Sequence, residues 1–132
     1  MNERVFVFGT IRKDQPRHYL LGNAKFIDYA ILEGFELYYI YNMFPGIVEG
    51  NGKVIGEVYE LPEDDLYKLD EAEDAVSIKN IEIGLSRRVK VKVKTQSGQT
   101  LDAWCYVFIQ DIEDSPKIPS GDWVEFSKSI NQ

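Results

Sequence analysis

The beginning of the chain constrains the fold more than any other stretch. Four apolar residues, Val5–Phe8, follow one another without interruption, with valine and phenylalanine alternating. An apolar run of this kind predicts a strand buried on both faces, so other elements must cover both of its sides. Gly9 and Thr10 follow at once, and a cationic, polar segment begins at Arg12. We expect the strand to end at Gly9, where the missing Cβ allows a sharp turn and a close approach by another molecule.

The loop that follows this strand has two interpretations. Bare backbone N–H groups at the mouth of a core can bind an anion or stabilise a developing oxyanion. The same residues more often mark an ordinary strand end, because short glycine motifs are frequent by chance. The octapeptide Arg4–Ile11 alone does not decide between these two interpretations.

Length and composition indicate a globular domain. A chain of 132 residues buries roughly two-thirds of its unfolded surface, and a hydrophobic content of 44% argues for a true core. We expect one domain over residues 1–132, with residues 112–132 as a C-terminal tail packed on it. Nothing in the pattern sets the oligomeric state.

Charge and cysteine usage limit the partners. The net charge of −7 argues against nucleic acid. No apolar run approaches the roughly 18 residues of a membrane span, and no signal segment opens the chain, so no membrane partner is expected. A lone cysteine fits a reducing compartment, and the expected location is the cytoplasm.

Turn signals and alternating apolar residues predict an α+β fold with a small, mostly antiparallel, barrel-like sheet. The Asn51-Gly52 pair predicts a hairpin, and Gly56 predicts a bulge or a close approach within the returning strand. A helix is expected to begin near Pro62 and to run to about Glu73 or Asp74. Other expected elements are a helical turn over 16–21, strands over 24–32, 35–41, 54–61, 87–95 and 100–109, and a loop-like tail pinned by Trp123 and Phe126.

Glu73 is the one carboxylate of the predicted helix that faces the core. At about 100° per residue it falls between Leu66 and Leu69, within about 40° of each, whereas Asp64 and Glu71 lie on the opposite side. An inward carboxylate is unfavourable unless it is hydrogen-bonded, paired or lining a cavity. Desolvation would raise its pKa toward values useful to a general base. Fraying of the helix end would instead turn Glu73 to solvent.

Other reactive residue types offer weaker candidates. Cys105 lies in the middle of a predicted strand, where a packed thiol is usual, and His18 is far from it in sequence. No cluster of cysteine, histidine or aspartate has metal-ligand spacing, so we expect no metal. The basic residues Arg88, Lys90, Lys92 and Lys94 alternate with valines and predict a solvent-facing strand surface.

Several segments of the chain form an ordered set, namely Val5–Ile11, Pro45–Val48, Val54–Tyr59, Leu69–Glu73 and Arg87. Together they resemble the gamma-glutamylcyclotransferase-like proteins, which include the gamma-glutamylamine cyclotransferases. The opening segment is similar to the family signature V-F-V-Y-G-T-L-K-R-G-Q-P, and the later segments recur in the family's order over nearly the whole chain. Phe8, Ile11 and Leu85 stand where many members have tyrosine, leucine and tyrosine.

The resemblance implies both a fold and an activity. It implies a small mixed barrel with flanking helices and a cavity floored by Phe8, Gly9, Thr10 and Ile11. It implies that Glu73 is the catalytic acid/base, converting a gamma-glutamyl amide to 5-oxoproline and a free amine without cofactor or metal. Leu85 and Arg87 would belong to the same pocket.

Two further functions stay open at this point. One is a non-catalytic module that binds a small molecule or a partner on the same scaffold, since a scaffold does not carry its chemistry with it. The other is a related acyl transfer, such as removal of a gamma-glutamyl protecting group.

Overall fold

A computed structural model describes residues 1–130, and a closed barrel of five strands forms its centre. The barrel strands are β1 (Asn2–Val7), β2 (Lys25–Ile40), β3 (Phe44–Pro62), β6 (Ser86–Thr95) and β7 (Thr100–Phe108). A separate two-stranded sheet consists of β4 (Ser77–Ile78) and β5 (Ile81–Glu82). The helices are a short 3₁₀ helix (His18–Leu21), α1 (Glu63–Ala72) and α2 (Trp123–Ile130).

The strand order around the barrel is β1-β3-β2-β6-β7. Neighbouring strands pair antiparallel, and a parallel contact between β1 and β7, at Val5 and Trp104, closes the barrel. The predicted α+β class with a small, mostly antiparallel barrel is therefore confirmed. Among residues 1–130, no helix has the length and apolar character needed to cross a membrane.

β1 is buried on both faces, as its apolar run predicts. Phe6 and Phe8 belong to the cluster inside the barrel, and Val5 and Val7 belong to a second cluster outside it. α1 and the 3₁₀ helix cover that outer face through buried leucines, namely Leu21, Leu66 and Leu69. The end of β1 therefore lies between the barrel interior and the C-terminal end of α1.

The predicted hairpin at Asn51-Gly52 is wrong. β2 and β3 form one long hairpin that turns instead at Tyr41-Asn42, where φ is 53° and 56°. The stretch Gly50–Gly52 remains within β3 and lies opposite Gly34 as a bulge, because the ladder resumes on both sides of it. Pairing along the long hairpin outweighs the local turn preference. The strands expected over 24–32 and 35–41 therefore form the single strand β2, and the strand expected over 54–61 is the second half of β3.

Gly56 is a point of close approach. A Cβ at this position would overlap the carbonyl oxygen of Val7 and the ring of Phe6. The absence of a side chain therefore lets β3 pack directly against the end of β1, next to the loop that follows it.

The loop-like tail was predicted incompletely, because its last part forms α2. The Asp122 side chain accepts a hydrogen bond from the Glu125 amide at 3.2 Å and caps the helix. Trp123 joins the cluster inside the barrel and Phe126 packs against that cluster. The two aromatic residues thus hold this segment to the barrel.

Candidate active site

A cavity of about 240 Å³ opens at the end of β1. Its wall is formed by the loop after β1, the C-terminal end of α1, the starts of β3 and β6, and the end of β7. Apolar and aromatic side chains provide most of the lining. The charged residues that line it are Arg17, Glu73 and Asp74, and the first two approach each other to 3.4 Å. Other residues that line the cavity include Phe8, Gly9, Thr10, Ile11, Pro45, Leu85, Ser86 and Tyr106.

Glu73 follows the last residue of α1 and caps that helix, with φ −92° and ψ 4°. Leu66 and Leu69 on the same side of α1 are buried, and the Glu73 side chain, only 21% exposed, lines the cavity. Burial raises the pKa of its carboxyl above the ordinary value, and the positive charge of Arg17 partly opposes this rise. The inward direction expected from helix spacing is therefore present, although α1 ends one residue earlier.

Arg17 is the cavity residue that sequence reasoning missed. Its Nη2 donates a hydrogen bond to the Ala72 carbonyl at 2.8 Å and lies 3.4 Å from Oε1 of Glu73. Its Nη1 lies 3.4 Å from Oγ1 of Thr10. Arg17 therefore connects the loop after β1 to the end of α1. The only available signal was a cation within the predicted helical turn, and this does not indicate a contact with a residue so distant in sequence.

The loop after β1 offers unused hydrogen-bond donors. Gly9 fits closely against Pro45, since a Cβ on it would lie 2.5 Å from the proline Cγ. The carbonyls of Gly9 and Thr10 accept hydrogen bonds from the amides of Arg12 and Arg17. No hydrogen bond found among residues 1–130 uses the amides of residues 9–11 as donors. These N–H groups therefore have no acceptor among residues 1–130, and the three residues that carry them line the cavity.

A second arginine in the same loop holds the loop to the barrel. Arg12 Nε donates to Oε2 of Glu57 at 2.8 Å, and its Nη1 donates to Oδ1 of Asp122 at 3.0 Å. The other Glu57 oxygen accepts hydrogen bonds from the Lys13 amide at 2.9 Å and from the Tyr59 hydroxyl at 3.0 Å. Both members of the Arg12–Glu57 pair are buried. This network fixes the loop that floors the cavity.

Tyr106 contributes a hydroxyl on the β7 side of the cavity. The hydroxyl donates a 2.6 Å hydrogen bond to Oδ1 of Asp70, which also accepts from Nε of Arg88 at 2.8 Å. Burial and the bond to Asp70 raise the pKa of Tyr106, so it is a neutral hydroxyl at ordinary pH. Burial first, and then the charge of Glu73, also raise the pKa of the Cys105 thiol, which is packed inside the barrel.

The structure brings six of the seven predicted site residues together and excludes one. Arg87 does not line this cavity: its Nε donates to Glu82 at 2.6 Å on the surface. Successive strand residues point to opposite faces, and the preceding residue, Ser86, faces the cavity, so the expectation for Arg87 is corrected. The residues that do line the cavity are Phe8, Gly9, Thr10, Ile11, Glu73 and Leu85.

Comparison with known proteins identifies the family. The model of the family described as gamma-glutamyl cyclotransferase, AIG2-like, matches residues 5–125. The chain belongs to this family. The gamma-glutamylcyclotransferase family protein YtfP of Escherichia coli K12 is 30% identical over 125 residues, which are 95% of this chain and 99% of that protein. A Pyrococcus horikoshii protein is 34% identical over 125 residues, or 92% of this chain and 91% of its own length.

Solved structures agree with the barrel. The crystal structure of the Pyrococcus horikoshii protein has a TM-score of 0.72 at 28% identity, covering 98% of this chain and 96% of its own. An AIG2-like protein of mouse has a TM-score of 0.74 at 23% identity, covering 92% and 94% of the two chains. This second likeness supports the fold alone.

Proposed function

We propose that this protein is a gamma-glutamyl cyclotransferase that converts a gamma-glutamyl amide to 5-oxoproline and a free amine. The observation that carries the proposal is the position of Glu73, a largely buried carboxylate in a cavity that also contains unbonded loop amides. A base and a set of oxyanion donors facing one enclosed space are the groups that intramolecular acyl transfer requires.

The reaction closes a ring within one substrate molecule. The α-ammonium group of the gamma-glutamyl unit gives a proton to Glu73 and becomes a nucleophilic amine. The amine nitrogen then attacks the side-chain amide carbon, which forms the new C–N bond and a tetrahedral oxyanion. Collapse of this intermediate breaks the original amide C–N bond as Glu73 gives its proton to the departing nitrogen. The ring nitrogen then gives its second proton to Glu73, which passes it to the released amine, so the products are the neutral lactam and an ammonium ion. The steps balance as proton transfer and acyl transfer, so the mechanism calls for neither a metal nor a redox cofactor.

The environment of Glu73 suits this role. Burial raises the pKa of its carboxyl, which brings it closer to the pKa of the ammonium group from which it takes a proton. The amides of residues 9–11 would bind the oxyanion, an effect typically worth about 2.7–4 kcal/mol per donor. Their support by the Arg12–Glu57 pair means that they need not reorganise when the charge develops.

Replacing Glu73 by glutamine tests the proposal. Release of 5-oxoproline is measured over a panel of gamma-glutamyl amines, gamma-glutamyl dipeptides and glutathione. For any substrate that the wild type cyclises, Glu73→Gln should lower turnover by about 10²–10⁴-fold, because the acid/base is lost while the side-chain shape is kept. Glu71→Gln is the matched control: this exposed carboxylate is two residues away in α1, and its loss should leave turnover unchanged. Full turnover by Glu73→Gln would refute the assigned role.

A binding module without turnover is the second candidate. Phe8 and Leu85 line the cavity without polar side-chain groups, and an apolar cavity with few polar anchors binds a molecule more readily than it orients one for reaction. Absence of 5-oxoproline release across the panel, together with a rise in melting temperature in the presence of a panel member, would favour this candidate. Removal of a gamma-glutamyl protecting group would use the same chemistry and would appear as turnover in the same assay.

A further inference from the structure

We infer that Arg17 binds the α-carboxylate of the substrate and restricts this enzyme to gamma-glutamyl compounds in which that carboxylate is free. The inference rests on the proposed function, because it assigns a substrate group to a residue of the same cavity. Arg17 is then a specificity-determining residue in addition to the acid/base Glu73.

Charge in the cavity supports this assignment. Among the described residues that line it, Arg17 is the single cation, whereas Glu73 and Asp74 are acidic and most other lining residues are apolar. A substrate carboxylate that enters this space meets two like charges and one opposite charge. Without a cationic partner, its desolvation in such a cavity would be strongly unfavourable.

The guanidinium of Arg17 is held in place but is not saturated. Ala72 and Thr10 fix it from two sides, at 2.8 Å and 3.4 Å. The contact with Glu73 is 3.4 Å, longer than a charge-assisted hydrogen bond in good geometry. The planar fork carries more N–H donors than these three contacts use, and 36% of the side chain is exposed. Arg12, in contrast, is buried and its charge is matched by Glu57 and Asp122, so it offers no comparable site.

The spacing of Arg17 and Glu73 fits the two groups on the substrate α-carbon. A gamma-glutamyl unit carries its carboxylate and its amine on that same carbon. A carboxylate bound to the guanidinium therefore holds the amine beside a base whose Oε1 lies 3.4 Å from Nη2. The substrate carboxylate also competes with Glu73 for the positive charge of Arg17, which leaves Glu73 a stronger base at the moment when it is needed.

Binding of two small lactams tests the inference without requiring turnover. The probes are 5-oxoproline and 2-pyrrolidinone, which share the ring and differ in the carboxylate. Titration calorimetry on the wild type should show at least about tenfold tighter binding of 5-oxoproline, since a charge-assisted hydrogen bond contributes about 1.5–3 kcal/mol. Arg17→Gln should remove this preference, and Arg17→Lys should restore part of it. Lys13→Gln removes an exposed cation from the same loop and should preserve the preference.

Each result separates the inference from the proposed reaction. Equal binding of the two lactams by the wild type, or an unchanged preference in a folded Arg17→Gln variant, would overturn it. Loss of the preference in Arg17→Gln supports it even if no panel member is turned over, in which case the reaction fails and the carboxylate site stands. Where turnover is found, a substrate whose α-carboxylate has been amidated should react equally slowly with the wild type and Arg17→Gln. A difference between them for that substrate would also count against the inference.

Discussion

Two arginine–carboxylate pairs flank the same loop, and their surroundings differ in almost every respect. Arg12 and Glu57 are both buried, meet at 2.8 Å, and have further partners in Asp122, Lys13 and Tyr59. Arg17 and Glu73 face a cavity, are 36% and 21% exposed at their side chains, and approach only to 3.4 Å.

The difference shows what distinguishes an ion pair enclosed by the protein from one that is open to a ligand. In the Arg12–Glu57 pair, both side chains are buried and the charge of the arginine is matched by Glu57 and Asp122, so the pair has its partners within the protein. In the Arg17–Glu73 pair, donors remain free and the Glu73 carboxylate is held in an environment that raises its pKa. The first pair fixes the loop, and the second pair lies where that loop meets the cavity. Residue type alone therefore does not distinguish the two pairs.

Breaking the buried pair should give the largest loss of stability. Glu57→Ala leaves the guanidinium of Arg12 buried with Asp122 as its remaining carboxylate, and removal of one partner of a buried pair typically costs about 3–5 kcal/mol. Urea unfolding of the wild type and the variant measures this change. Glu49→Ala removes an exposed carboxylate from the same strand and should change the free energy of unfolding by less than about 0.5 kcal/mol. A loss below about 1 kcal/mol for Glu57→Ala would show that the pair is not what fixes the loop.

The two pairs also differ in how much of them the sequence could predict. Helix spacing located Glu73, because Leu66 and Leu69 bury one side of α1 and a neighbouring side chain follows them. The apolar run of β1 placed the loop at the mouth of the core. Neither argument predicts the contact of Arg17 with Glu73 or that of Arg12 with Glu57, because these residues are far apart in the chain and only the folded structure brings them together.

The errors in the fold have local physical causes. The turn at Tyr41-Asn42 uses two residues with positive φ that are not glycine, so glycine-based signals pointed elsewhere. α2 follows Gly121, and prolines earlier in the tail concealed a helix-start pattern, Asp122 three residues before Glu125. The position of the β2–β3 turn was therefore set by long-range strand pairing, and the start of α2 was hidden by the prolines before it.

Weakening the outer side of the buried network should have a smaller effect. Asp122→Asn keeps a side-chain oxygen that can cap α2 and removes the charge facing Arg12. Because Glu57 remains as the main partner and Asp122 is 26% exposed, we expect a loss of about 1 kcal/mol in the free energy of unfolding. The same urea titrations measure it, with Asp111→Asn as an exposed control in the chain before α2. A loss as large as that of Glu57→Ala would mean that Asp122, rather than Glu57, is the principal partner of Arg12.

The smallest expected effect is the contribution of Glu73 to the pH dependence of the free energy of unfolding. The sign of this contribution shows whether the Arg17–Glu73 pair stabilises the fold as the Arg12–Glu57 pair is expected to do. Burial raises the pKa of Glu73 in the folded protein above the ordinary value of 4.5, so folding favours the protonated carboxyl. The stability that this provides is fully present below the ordinary value and is lost as pH rises through the raised value. Glu73→Gln cannot ionise, so its free energy of unfolding should rise relative to the wild type across this window and then stay level.

Urea unfolding of both proteins between about pH 4 and pH 8 measures this difference. Tyr106 and Cys105 also sense the charge of Glu73, but their pKa values are raised, so they stay neutral over this range. Arg17 opposes the effect of burial, so the same comparison in an Arg17→Gln background should give a larger rise. If Glu73→Gln instead loses stability relative to the wild type as pH rises, attraction to Arg17 outweighs burial. The Arg17–Glu73 pair would then be a stabilising ion pair like Arg12–Glu57, and the proposed base would already be engaged by the protein itself.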